Sequence, residues 1–181
     1  GGDVFNAGKG IAVCGTHGKS TTTAMLGWVL AETGMDPTVI VGAEVPQFGG
    51  NARVGQSNLV VLEADEYQDK LQHLNPFGVI LTSIEYDHPD FFSTPELYAD
   101  AFRRFVSRIP PDGFLIACWD DPTVVAVAGA APCEVIRYRL SDLSQFRTKL
   151  RKEDAEEFVL QLPGRHNIQN ALGVLAAVAR L

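Results

Sequence analysis

Basic residues and long apolar runs are both scarce in this sequence. Its 181 residues include 15 lysines and arginines against 22 aspartates and glutamates, which gives a formal net charge of -7. Proteins that bind nucleic acid by neutralising phosphates usually present a basic face, so we expect no nucleic-acid partner. No apolar stretch approaches the roughly 20 residues of a membrane-spanning helix, so we expect no membrane partner either.

Cysteine is also scarce, with only Cys14, Cys118 and Cys133. Three widely separated cysteines provide neither a disulfide framework nor the spacing of a metal site, and the N-terminus lacks a secretion signal pattern. We therefore predict a reducing, cytoplasmic location. Cys14 and Cys118 lie in apolar runs and are interpreted as inert core residues. The chain ends at Leu181 inside an apolar helical pattern, so we expect it to be part of a longer protein.

Apolar runs alternate with helical patterns along the chain, which is typical of an α/β fold. We predict strands over residues 10–14, 38–42, 58–62, 79–82 and 114–118, an irregular loop over 43–57, and helices over 21–33, 94–108, 122–131 and from 167 onward. These elements predict a mostly parallel sheet, of the kind found in phosphate-loop proteins, with helices on both faces. The alternating segments 135–138 and 158–162 predict a small additional antiparallel sheet.

The junction between the first strand and the first helix has the composition of a phosphate-binding loop. It reads Gly15, Thr16, His17, Gly18, Lys19, Ser20 and Thr21. Glycines let backbone N–H groups converge on anionic oxygens, and the helix N-terminus and a lysine add positive charge. A serine hydroxyl at this point can ligate magnesium. The general pattern has an earlier glycine where this chain has Val13, so the alternative is an ordinary glycine-rich turn.

Carboxylates follow the strand over residues 58–62, at Glu63, Asp65 and Glu66. The carboxyl ends of parallel strands are where open α/β sheets bind ligands. A divalent cation that bridges triphosphate oxygens needs carboxylate oxygens nearby, so these residues are candidate metal ligands. His88 follows another strand and could ligate a metal or contact a phosphate, although a lone histidine is more often structural.

The last helix begins with polar residues that suit a nucleotide. His166, Asn167 and Asn170 lie at its start, and the two asparagines would share one face of the helix. Asparagine offers both a donor and an acceptor, which suits the edge of adenine. The alternative is that Asn167 simply caps the helix.

Together these motifs resemble the central domain of the Mur ligase family. The resemblance runs from about Gly10 to Leu181, through the phosphate loop and the segments 63–67, 84–88, 120–122 and 164–171. It implies an ATP- and Mg²⁺-dependent ligase of peptidoglycan precursor synthesis, with an N-terminal UDP-sugar domain and a C-terminal domain outside this chain. Several sibling branches carry a modified lysine where this chain has Phe102, which favours the alanine-adding branch.

The resemblance also implies roles for individual residues. ATP would phosphorylate the carboxylate of UDP-N-acetylmuramate, and the amine of L-alanine would then form the amide. Lys19 and His88 would be catalytic, Ser20, Glu63 and His88 would hold metal, and the phosphate loop would bind the nucleotide with His166, Asn167 and Asn170. A tripeptide-adding recycling ligase, a phosphate-loop NTPase without ligase activity, and a non-catalytic nucleotide-binding module remain alternatives.

Overall fold

The computed structural model describes residues 1–142 and 164–181. In chain order the elements are α1 (Gly2–Ala7), β1 (Lys9–Cys14), α2 (Lys19–Glu32), β2 (Thr38–Val45), β3 (Gly50–Arg53), β4 (Leu59–Glu63), β5 (Gly78–Leu81), α3 (Pro95–Val106), β6 (Phe114–Cys118), α4 (Pro122–Ala128), β7 (Glu134–Tyr138) and α5 (Arg165–Arg180). Short 3-10 helices cover Pro46–Phe48, Tyr67–His73 and Leu140–Asp142.

Seven strands form one sheet in the order β3-β2-β4-β1-β5-β6-β7. All neighbours pair in parallel except β2 and β3, which are antiparallel. The predicted α/β class with a mostly parallel sheet is confirmed. β1 lies at the centre between β4 and β5, and its residues 11–14 are fully buried. A strand that is apolar along its whole length, without alternation, fits a sheet covered on both faces.

Two segments differ from the prediction. Residues 43–57, predicted as an irregular loop, instead extend β2 to Val45 and return as β3, with Gly49 in the left-handed region at φ 69°. Residues 135–138 form a strand as predicted, but β7 joins the main sheet in parallel beside β6. The other predicted strand of a small separate sheet, 158–162, lies outside the described residues.

Two apolar layers cover the two faces of the sheet. One layer centres on α3 and α4, and the other on α2 and α5. We predicted that Leu97, Ala101, Phe102 and Phe105 would share the buried face of α3. The last three are buried, but Leu97 is 47% exposed and Tyr98 is buried instead. Thr94 caps this helix, because its side chain accepts from the Leu97 N–H. Within the described residues, no helix is both long and apolar enough to cross a membrane.

Candidate functional site

The predicted phosphate loop lies at the carboxyl ends of the three central strands. It joins β1 to α2, and β4 and β5 flank it on either side. A cleft of about 880 Å³ opens beside it, lined by residues that include His17, Gly18, His166 and Asn170. The sheet therefore brings the loop and the start of α5 to one cleft, although they are about 150 positions apart in the sequence.

Only glycine can occupy position 15, because a side chain there would clash with Thr82 and Ser83. Its φ is +129°, and a Cβ there would lie 2.3 Å from Thr82 Oγ1 and 2.7 Å from the Ser83 carbonyl oxygen. The loop is also hydrogen-bonded to these two residues. The Thr16 N–H donates to the Ser83 carbonyl (2.7 Å). The Thr82 hydroxyl donates to the His17 carbonyl (2.6 Å). The end of β5 thus fixes the loop's path.

Gly18 is the N-cap of α2 and lies in the left-handed region at φ 78°. A Cβ at Gly18 would lie 2.5 Å from Asn170 Oδ1 on α5. Close packing of Asn170 against the loop is therefore possible only with glycine here. The arrangement also sets α5 directly beside the first turn of α2.

The Lys19 ammonium lies back over the loop. Its Nζ donates to the Gly15 carbonyl at 2.8 Å and to Glu66 Oε2 at 3.3 Å. The Glu66 side chain is only 1% exposed, while that of Lys19 is 18% exposed. The loop therefore has a lysine cation beside it, which is hydrogen-bonded to one carbonyl and one buried carboxylate.

Ser20 and Glu63 are in direct contact. The Ser20 hydroxyl donates to Glu63 Oε1 at 2.9 Å, and the Gly42 N–H donates to Glu63 Oε2 at 2.6 Å. A Cβ at Gly42 would lie 3.0 Å from the Glu63 carboxylate, so the close approach of the β2 backbone depends on glycine. The Ser20 hydroxyl in the loop and the Glu63 carboxylate at the end of β4 are hard oxygen ligands, and they fit a magnesium ion.

His88 belongs to a second group, with Asp65 and Glu66. One ligand atom from each of these three residues lies within 4.8 Å of the others. His88 Nε2 is 3.8 Å from Glu66 Oε1. The predicted metal set of Ser20, Glu63 and His88 therefore falls into two neighbouring clusters, a Ser20–Glu63 pair and a His88–Glu66–Asp65 group.

The backbone and ring of His88 are both constrained. Its φ of 55° is unusual for a residue with a side chain, and the Tyr67 ring lies against it at 4.7 Å between centroids. Such backbone strain clusters at functional sites. Partial burial acts to raise the pKa of Asp65, but hydrogen bonds from Lys70 and the Tyr67 N–H outweigh it and lower the pKa below its usual value. Asp65 is therefore a carboxylate at neutral pH.

The start of α5 provides the third predicted component of the site. His166 and Asn170 line the cleft, and Asn167 lies half-buried in the first turn. The N-cap position of α5 is Gly164, without a side-chain cap, so the alternative role of Asn167 as a helix cap is wrong. A nucleotide role for His166, Asn167 and Asn170 stays a prediction.

Two aspartates of the cleft were given no individual site role by the sequence analysis. Asp120 Oδ2 accepts from Gln169 Nε2 (2.9 Å) and from the Leu140 N–H (2.8 Å), which ties β6 to α5. Asp121 caps α4 and also accepts from the Ile84 N–H at 2.8 Å. The segment 120–122 contributed to the family resemblance, but no role of its own was predicted for either aspartate. The position of the pair at the end of β6 was the signal that could have placed it in the cleft.

Phe102 and the cysteines have core positions. Phe102 is fully buried on α3, with its ring 5.3 Å from that of Tyr98, so it packs the core and offers no ligand. All three cysteines are free. Cys14 and Cys118 are both buried, which confirms their predicted core positions, and burial raises the pKa of both thiols.

The loop joins a central strand to a helix N-terminus, contains a lysine and a serine, and lies beside the carboxylate of Glu63. These features define an α/β protein of the phosphate-loop class. Residues 13–178 match the family model described as the Mur ligase middle domain. The chain belongs to the Mur ligase family.

Relatives and solved structures agree with the family. The chain is 42% identical to UDP-N-acetylmuramate–L-alanine ligase of Rubrobacter xylanophilus, over 98% of the chain and 41% of the relative. It is 38% identical to the enzyme of the same name from Salinibacter ruber, over 97% of the chain and 40% of the relative. The chain thus spans about two fifths of the length of these relatives.

Among solved structures, a UDP-N-acetylmuramate:L-alanyl-γ-D-glutamyl-meso-diaminopimelate ligase from Neisseria meningitides superposes with a TM-score of 0.82. It is 26% identical and the match covers 98% of this chain and 63% of that one. A UDP-N-acetylmuramate–alanine ligase from Thermotoga maritima has a TM-score of 0.71 at 24% identity, over 93% of this chain and 40% of that one, and supports the fold alone.

Proposed function

We propose that the chain is the central ATP-binding domain of a UDP-N-acetylmuramate–L-alanine ligase, the enzyme called MurC. The observation that carries the proposal is the juxtaposition of Lys19 on the loop with the Ser20–Glu63 pair, beside a cleft lined by His166 and Asn170. The names of the curated relatives support the alanine-adding activity. The whole enzyme would add an N-terminal UDP-sugar domain and a C-terminal domain, and it would act in the cytoplasm.

In this proposal the loop holds the triphosphate and the carboxylate of UDP-N-acetylmuramate attacks the γ-phosphorus. The attack forms an acyl phosphate and releases ADP; the L-alanine amine then displaces phosphate to form the amide. Lys19 stabilises negative charge on the transferring phosphoryl group. The loop N–H groups and the positive end of α2 hold the phosphates in place. His166, Asn167 and Asn170 contact the nucleoside from the start of α5.

Mg²⁺ fits the Ser20 hydroxyl and the Glu63 carboxylate, and when bound it neutralises charge on the triphosphate oxygens. The Gly42 N–H keeps Glu63 oriented toward Ser20. His88 lies with Asp65 and Glu66 and offers a second set of ligand atoms close to the loop. His88 would hold a second cation together with Asp65 and Glu66, and that cation would supply positive charge beside the loop.

Replacing Glu63 by glutamine should weaken metal use. In the full-length enzyme we expect the Mg²⁺ concentration for half-maximal activity to rise by at least about tenfold and kcat to fall by about 100-fold, because a charged ligand is lost. The measurement is the ligation rate over a Mg²⁺ titration. Glu134→Gln is the matched control, since Glu134 begins β7 and pairs with Arg180 at 2.8 Å. An unchanged Mg²⁺ requirement in Glu63→Gln would refute the assignment.

The tripeptide-adding ligase, called Mpl, is the second candidate. It is favoured by one specific observation, the TM-score of 0.82 to the Neisseria structure of that activity. Both candidates use the same nucleotide sugar, so this domain's site does not separate them. The curated relatives favour alanine.

A panel of amines tests the proposal. Full-length protein, ATP, Mg²⁺ and UDP-N-acetylmuramate are combined with either L-alanine or L-Ala-γ-D-Glu-diaminopimelate, and the amide product and ADP are quantified. We expect amide formation with L-alanine to exceed that with the tripeptide. The reverse preference would select the recycling ligase. ATP hydrolysis at full rate without sugar or amine would instead indicate an NTPase and overturn both candidates.

A further inference from the structure

Tyr98, on α3, brings a buried hydroxyl to the phosphate-loop site. The residue is 1% exposed. Its hydroxyl donates to Glu66 Oε1 at 2.8 Å and lies 3.0 Å from Thr16 Oγ1. Edge-to-face contacts with Phe92 and Phe102, at 5.1 and 5.3 Å between centroids, hold the ring in place. The hydroxyl therefore reaches both the loop and the carboxylate that contacts Lys19.

Glu66 is the residue through which the Tyr98 hydroxyl can act. Its carboxylate is 1% exposed, so it depends on protein partners to offset the lost hydration. Lys19 Nζ donates a hydrogen bond to Glu66 Oε2 at 3.3 Å, and the Tyr98 hydroxyl donates one to Glu66 Oε1 at 2.8 Å. If Lys19 turns toward a nucleotide phosphate, Glu66 loses that contact, and Tyr98 remains as a donor. Without the hydroxyl, the departure of Lys19 would leave a buried carboxylate with much weaker compensation.

We infer that Tyr98 is a positioning residue for the triphosphate: its hydroxyl keeps Glu66 hydrogen-bonded, and so lets the Lys19 ammonium move from Glu66 to the bound phosphates. The inference rests on the proposed ATP-binding function. Burial and the neighbouring carboxylate raise the pKa of Tyr98, so its hydroxyl retains its proton and acts as a donor at neutral pH. The same hydroxyl approaches Thr16, whose Oγ1 accepts from the Glu85 N–H at 2.9 Å and so ties the loop to the segment after β5.

The test is Tyr98→Phe in the full-length protein, with equilibrium binding of ATP and of AMP measured calorimetrically in Mg²⁺. We expect the Kd for ATP to rise about five- to tenfold, because Lys19 is held more firmly by a carboxylate that has lost its other donor. The Kd for AMP should change by less than about twofold, since Lys19 would contact the β- and γ-phosphates, which AMP lacks. General damage to the cleft would weaken both ligands alike.

Two further variants test whether the effect is specific to the hydrogen bond between Tyr98 and Glu66. Tyr86→Phe is a matched control, since its hydroxyl donates to the Phe92 carbonyl at 2.6 Å and its ring belongs to the same aromatic cluster. Its ATP affinity should stay within about twofold of wild type. On a Glu66→Gln background, Tyr98→Phe should change the Kd for ATP by less than about twofold, because no buried carboxylate is left to satisfy.

The outcomes separate this inference from the proposed function. If wild type and Tyr98→Phe bind ATP equally tightly, the inference about Tyr98 is refuted and the proposed function is unaffected. Equal losses of ATP and AMP binding, or an undiminished Tyr98→Phe effect on the Glu66→Gln background, would also overturn it. If wild type does not bind ATP at all, the proposed function itself fails, and this inference with it.

Discussion

Lys19→Ala in the full-length ligase should lower kcat by at least about 10²- to 10³-fold, the usual effect of removing a charge-stabilising group from a transferring centre. Lys19 is the cation at the mouth of the loop, and its Nζ lies 2.8 Å from the Gly15 carbonyl and 3.3 Å from Glu66. Without it, no lysine of the loop offsets the charge that develops on the phosphoryl group. The measurement is the initial rate of ADP and amide formation at saturating ATP and sugar.

Lys9→Ala is the matched control for Lys19→Ala. Lys9 begins β1, at the opposite end of that strand from the loop, and its Nζ lies 4.2 Å from the centre of the Phe77 ring. Its loss should change kcat by less than about twofold, since exposed cation–ring contacts contribute little. Near-normal ligation by Lys19→Ala would mean that the loop does not take part in phosphoryl transfer. The roles proposed for the residues around the loop would then also be refuted.

The parallel sheet was predictable because its central strands are continuous apolar runs. Residues 10–14 and 114–118 could be recognised by themselves, since burial on both faces leaves no need for alternation. The strand at 50–53 was not predictable in the same way. It is an exposed edge of glycine, asparagine, alanine and arginine, and its pairing with β2 is fixed by the tertiary structure rather than by β-propensity.

The candidate site shows a similar division. The loop residues and Glu63 carry local signals, because their chemistry and their place between a strand and a helix can be read together. Tyr98 gave no such signal, since a tyrosine on an amphipathic helix predicts only core packing. Its hydroxyl acquires a partner when α3 packs beside the segment that follows β4, a contact between residues 32 positions apart. Local patterns contain no information about such contacts.

Gly15→Ala should abolish measurable ATP binding, with a loss of affinity of at least about 100-fold, since phosphate binding depends on the fixed path of the loop. The new Cβ would meet Thr82 Oγ1 at 2.3 Å, the Ser83 carbonyl oxygen at 2.7 Å and the Ser83 nitrogen at 2.9 Å. Two of these atoms are backbone of the segment leading from β5, which cannot rotate away. The loop would have to shift, and the Thr16 N–H would lose its 2.7 Å bond to Ser83. Calorimetric titration of the full-length protein with ATP measures the effect.

Gly34→Ala separates loss of the loop from loss of stability. Gly34 also has a positive φ, +82°, but a Cβ there would meet nothing within 4 Å. The change should cost about 1–2 kcal/mol of strain and lower Tm by a few degrees, with ATP affinity within about twofold of wild type. Tm is therefore measured for both variants. If Gly34→Ala lost ATP binding to the same extent as Gly15→Ala, general destabilisation would explain both. If Gly15→Ala bound ATP normally, the nucleotide phosphates would have to lie elsewhere, because the clash with Ser83 leaves the loop no way to keep its geometry.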